Sequence, residues 1–196
     1  MMTNDKLNTG KVFFQNLDYL KLIPYAEGGD ALGETAFSFD SLLADSVSLQ
    51  QDDPTTSQRD CETKDEPVLS STVLGSYQFT ATSLDMQPKI AENFMGWAKG
   101  GSSDTDVYYA PSSYQPLYCL AVLKFNGTDK CLVLPKIKLN SKFILASLKT
   151  SSGQIDLAGT AVSGKLTIGS SSIETTLAMV PFEKLSTVIS GYTEGE

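Results

Sequence analysis

Carboxylates at short spacing are the first groups in this sequence that could do chemistry. Residues 50–67 read QQDDPTTSQRDCETKDEP and set Asp52, Asp53, Asp60, Glu62, Asp65 and Glu66 against Arg59 and Lys64. Adjacent acids such as Asp52-Asp53 or Asp65-Glu66 could share a proton or hold calcium. On an extended chain neighbouring side chains point to opposite faces, so neither pair makes a dyad by itself. EF-hand spacing is absent, and Asp104-Thr105-Asp106 is too short a set of ligands. Gly28-Gly29 opens no helix that could cradle phosphate, and Gly100-Gly101 follows a helical pattern instead of preceding one. GxSxG and Walker sequences are absent.

Histidine is missing altogether among the 196 residues. That removes the Ser-His-Asp and Cys-His pairs, an imidazole base and every His-containing zinc site. Cys119 and Cys131 lie in apolar runs and Cys61 in a polar one, an odd set without CxxC spacing. Reduced core thiols are expected, with a Cys119–Cys131 bridge as the alternative. The expectation is no catalytic residue, no cofactor and no metal. The net charge of −8 argues against tight nucleic-acid binding, which needs cations on phosphates. The beginning of the chain shows no signal-like apolar run, and no stretch has the ~20 apolar residues of a membrane helix. Folding in a cytoplasm is expected.

These residues must be positioned by strands. Residues 19–23 read as one, ended by Pro24; residues 43–49, 68–74 and 117–125 read as others. Residues 76–84 alternate cleanly, with Tyr77, Phe79, Ala81 and Ser83 on one side. Asn126-Gly127 turns the apolar run 117–125 back into 130–134, and 137–148 continues the sheet. Residues 154–161 and 162–168 read as a hairpin, and 175–181 closes the series. One helix is predicted over 88–98, with Pro88 at its first position, an apolar stripe of Ile90, Ala91, Phe94, Met95 and Ala98, and Gly100-Gly101 as its stop. The fold class is mostly β, a β-sandwich or β-barrel with one flanking helix, in a single domain over 1–196.

Residues 50–67 break this pattern as a long acidic loop, either a solvated excursion or an arm that orders against a partner. Residues 117–149 carry the opposite charge: six lysines and one acid, Asp129. Alternation there puts Lys136, Lys138, Asn140 and Lys142 on one face. Lysines commonly protect a sheet edge. The other reading is a surface that receives the acidic segment of another copy. Trp97 with Tyr108, Tyr109 and Tyr114 could stack on a sugar or a base, although packing is the plainer reading.

The order of parts carries a resemblance. An arm of the form DDPTT…E…DEP precedes an alternating strand, SYQFTATSLDM; then come an amphipathic helix, PKIAENFMGW, a hairpin, LYCLAVLKFNGTDKCLVLPKIKLN, and a late segment, DLAGTAVSGKLTIG. Over roughly residues 40–185 this resembles the major tail (tail tube) proteins of tailed bacteriophages. The resemblance implies hexameric rings stacked into a tube in the virion tail, with other tail proteins as partners and DNA only in transit. It implies that the long loop contacts the neighbouring ring, with Asp52, Asp53, Arg59, Glu62 and Glu66 as contacts. Lys136, Lys138 and Lys142 would then serve subunit contacts and stay away from the bore, where cations would retain phosphates. A head-decoration or tail-terminator protein is the nearest alternative; a carbohydrate-binding β-sandwich is a more distant one.

Overall fold

The longest apolar run becomes the strand at the centre of the molecule. In the computed structural model, residues 16–26, 31–61, 64–84, 87–101, 107–110, 112, 117–144 and 153–192 are described. The strands in chain order are β1 (Leu17–Pro24), β2 (Phe37–Phe39), β3 (Ser48–Gln51), β4 (Thr55–Cys61), β5 (Lys64–Val73), β6 (Tyr77–Ser83), β7 (Ala98–Gly100), β8 (Val107–Tyr109), β9 (Leu117–Phe125), β10 (Lys130–Leu139), β11 (Lys142–Ile144), β12 (Gln154–Val162), β13 (Gly164–Ile168), β14 (Ser171–Thr175) and β15 (Ala178–Pro181). Helix α1 (Pro88–Met95) follows β6; a 3-10 turn (Phe182–Lys184) and helix α2 (Leu185–Val188) follow β15.

Nine strands form one antiparallel sheet in the order β2-β1-β9-β10-β12-β6-β3, with β11 beside β12 and β15 beside β10. No closed barrel forms among the described residues. Strand β9 is unbroken in its hydrophobicity because both of its faces are covered. Cys119, Ala121 and Leu123 enter one core; Leu120 and Val122 enter another on the opposite face. The first core collects Leu20, Leu22, Phe39, Phe79, Leu134, Ile137, Leu139, Ile155 and Leu157 as the sheet curls around them. Each such fully buried side chain stabilises by about 1.5–3 kcal/mol. Helix α1 caps this core through Ile90, Ala91 and Phe94. The Phe94 ring meets Phe37 at 5.1 Å and Phe39 at 5.8 Å, both edge to face. The second core lies under β13, β15, α2 and Tyr192.

Strand β10 changes partners at Pro135. Before it, Cys131 and Val133 pair with Val180 and Ala178 of β15; after it, Lys136 to Leu139 pair with β12. Against β9 the register slips by one residue between Leu134 and Ile137. Proline has no N–H to donate, so it is tolerated inside a strand at such a bulge.

Several expectations need correction. Helix α1 stops at Gly96, not at Gly100-Gly101: Gly96 takes φ 69°, and the Trp97 N–H returns to the Ala91 carbonyl at 3.1 Å. Residues 43–49 are not one strand, because Asp45 adopts φ 59° and turns the chain before β3. Strands β12 and β13 make no hairpin with each other. The chain crosses over Pro135 at Gly164, where a Cβ would come within 2.7 Å of the Pro135 Cβ, and β13 then pairs with β14. The acidic loop is itself a ribbon, β4 paired with β5. Of the strand expected over 137–148, residues 145–148 lie outside the described residues; β10 ends at Leu139 and β11 spans Lys142–Ile144.

Candidate assembly surfaces

The β4–β5 arm leaves the sheet between β3 and β6 and, among the described residues, pairs only with itself. Its root is fixed by short backbone contacts. The Asp52 N–H donates to the Ser76 carbonyl at 2.8 Å, and Gln51 Nε2 to the Gly75 carbonyl at 3.3 Å. Gly75 lies so close to the Asp52 carbonyl that a side chain would collide with it. Further out, hydroxyls pair across the ribbon, Thr56 with Thr72 and Ser57 with Ser71, each at 3.0 Å. These are cross-strand pairs of small polar groups. At the root, Val73 and Leu74 stand 66% and 76% exposed. Two-stranded ribbons are marginal alone in water, so this one gains most from a surface to lie against.

Of the arm residues expected to make contacts, Asp52 accepts a hydrogen bond from Gln78 Nε2 at 2.7 Å, and Asp53 is exposed. Arg59 lies in β4 opposite Leu69, and Glu66 lies in β5. Glu62 and Tyr114 fall outside the described residues.

The lysines do share the face predicted for them on β10. Lys136 and Lys138 lie opposite Ile137 and Leu139, which enter the first core. Lys138 is exposed and sits across from Thr160 of β12; Lys142 is exposed and sits across from Asp156. Lys136 differs, because its ammonium stands 5.1 Å from the Tyr25 ring and 4.8 Å from the Tyr118 ring.

Beside Lys138 and Lys142 the outer faces of β6 and β12 form a polar sheet surface. Thr160 Oγ1 donates to Gln78 Oε1 at 2.9 Å, and Gln78 in turn donates to Asp52. Thr82 Oγ1 donates to Asp156 Oδ1 at 2.9 Å. Sequence reasoning missed this network. Its only sequence signal was the polar half of the alternation in residues 76–84.

A second cluster was also missed. Lys21 is only 5% exposed, with its ammonium 5.6 Å from the Tyr19 ring and 6.0 Å from the Tyr192 ring. Lys124 stands 5.4 Å from the same Tyr19 ring and 4.4 Å from that of Phe182, and pairs with Asp18 at 3.3 Å.

The thiols of Cys119 and Cys131 are free and buried. They face opposite cores, which rules out the alternative bridge between them. Burial raises both: Cys119 far above the ordinary thiol range, and Cys131 to about 11. Trp97 meets Phe143 edge to face at 6.1 Å, while Tyr108 and Tyr109 belong to the β7–β8 ribbon. Among the described residues no three His, Cys, Asp or Glu side chains are placed to hold a metal ion. No helix among them is long and apolar enough to cross a membrane.

No protein-family model and no curated protein sequence matches the chain. Among solved structures it is similar to a chain of the anti-feeding prophage baseplate, seen by cryo-electron microscopy, at 9% identity and a TM-score of 0.37 over 89% of this chain and 99% of that one.

Proposed function

We propose that this protein is a structural subunit of a phage tail, one that self-assembles into rings and stacks them into a tube. The observation that carries the reading is the β4–β5 arm. It is a polar ribbon outside the nine-stranded sheet, rooted by a glycine against the backbone, with two exposed apolar residues at its base. Such a ribbon is poorly supported in a lone subunit and is well suited to lie on another copy. The sequence resemblance to tail tube proteins supports the same role. In this reading the rings are hexameric, the arm bridges successive rings, and other tail proteins cap the tube. DNA passes through the bore without being held, and the acidic subunit repels it. The role is mechanical and not catalytic. Lys136, Lys138 and Lys142 turn away from the bore; a tube map with these three lining it would overturn that placement.

The test is negative-stain electron microscopy with sedimentation velocity over rising protein concentration. Stacked rings are expected. A protein that stays monomeric at high concentration refutes the proposal, and isolated rings or trimers favour a decoration or terminator protein.

A further inference from the structure

Lys21 is the odd residue of the fold. Lysine is almost never buried without a partner, because its ammonium loses hydration that only an anion restores well. Lys21 is buried in β1, between Ser38 of β2 and Val122 of β9. Among the described residues its ammonium has no carboxylate partner, only the Tyr19 and Tyr192 rings. A second ammonium, that of Lys124, approaches the same Tyr19 ring and pairs with one carboxylate, Asp18. Within the aromatic frame Tyr19 and Phe182 meet edge to face at 6.1 Å. Rings stabilise a cation through their negative faces but carry no net charge. Among the described residues the cluster is therefore one negative charge short, in a walled, partly desolvated setting where such a charge is held more strongly than in open water.

We infer that Lys21 and Lys124, framed by Tyr19, Phe182 and Tyr192, form a carboxylate-binding site, filled in the assembled protein by an acidic side chain of residues 52–66 of a second copy. The choice of occupant follows from charge. Those residues hold six acids against two bases, the densest negative stretch near any strand. The site's chemistry stands on its own geometry; only the source of the carboxylate rests on the assembly reading.

Two measurements separate the sources. In the first, dilute monomer carrying lysine labelled with carbon-13 at Cε is titrated with sodium succinate, against sodium chloride at equal ionic strength. Saturable shifts of the Lys21 and Lys124 signals are expected, and K21M should abolish the Lys124 response. Methionine keeps the apolar stem, so the melting temperature of K21M should hold or rise. A response to inorganic phosphate without one to succinate, or no saturable response, overturns the site. In the second, an assembled mixture of nitrogen-14 and nitrogen-15 chains is treated with a carbodiimide, which joins an ammonium and a carboxylate in contact. The Lys124–Asp18 link within one chain is the internal control. Hybrid-mass links from Lys21 or Lys124 to an acid of residues 52–66 are expected. Assembled tubes that give the control link and no hybrid link refute the occupant while leaving the function intact. Failure to assemble refutes the function, and the succinate titration still decides the site.

Discussion

Replacing Gly159 by alanine tests how closely the two halves of the main sheet approach. Gly159 sits in β12 between Leu139 of β10 and Phe79 of β6. A Cβ there would lie 2.5 Å from Ile137 Cγ2 and 2.8 Å from the Lys138 carbonyl oxygen. The Ile137 methyl belongs to a packed core, and the carbonyl cannot move without β10. Overpacking of this kind costs about 1–3 kcal/mol, and the backbone partner puts it in the upper half of that range. Alanine also narrows the unfolded ensemble, which returns about 0.4–1 kcal/mol. The net expectation is a loss of roughly 1–2.5 kcal/mol. For a chain of this size each kcal/mol moves the melting temperature by about 2–4 °C, so a fall of roughly 2–10 °C is expected. Differential scanning calorimetry, with urea unfolding for the free energy, measures both. An unchanged or higher melting temperature would show that β10 and β12 are not packed backbone to backbone at this point.

Gly75→Ala should displace the root of the arm from Asp52 and cost about 1–3 kcal/mol, because its Cβ would collide with the Asp52 carbonyl; at temperatures where the variant stays folded, sedimentation should show fewer stacked rings, and wild-type stacking would refute the part given to the root. Phe94→Ala should cost about 3–5 kcal/mol in urea unfolding, because it empties the space between α1 and the Phe37 and Phe39 rings. Cys131 has its pKa raised by burial from 9.0 to about 11, so its thiol stabilises the fold fully below pH 9. That contribution is lost as pH rises from 9 through 11, on the order of 3 kcal/mol in all. Cys131→Ala should make the alkaline limb of stability from pH 8 to 11.5 shallower, with the slope due to buried Cys119 remaining. Asp18→Asn, which breaks a partly exposed pair with Lys124, should cost under about 1 kcal/mol by the same unfolding assay.

The parts of the fold that were legible are those whose burial is written in their own residues. Strand β9 reads as apolar throughout because it is covered twice, and β6 alternates because one of its faces meets Phe94 and its neighbours. Of the β4–β5 ribbon only residues 68–74 read as a strand; residues 55–66 are polar and charged without an apolar alternation, and so read as a loop. Residues 43–49 misled for the converse reason: their alternation is present, but Asp45 turns the backbone into the left-handed region. Lys21 reads as an ordinary outward lysine between Leu20 and Leu22. Its cover comes from Tyr192, about 170 residues later, and nothing local announces that. The polar network of Asp52, Gln78 and Thr160 joins three distant segments and was hidden for the same reason.

The order of strands in the main sheet also bears on how the chain is born. Strand β1 pairs with β9, so Leu20, Leu22 and Ile23 meet their β9 neighbours only after that strand, ending at Phe125, has been made. At about 5–20 residues per second, roughly 5–20 s separate the two strands at the ribosome. During that interval β1 has only β2 to pair with and leaves an apolar edge open. This long wait makes the β1–β9 pairing a step at which a crowded cell would need a chaperone.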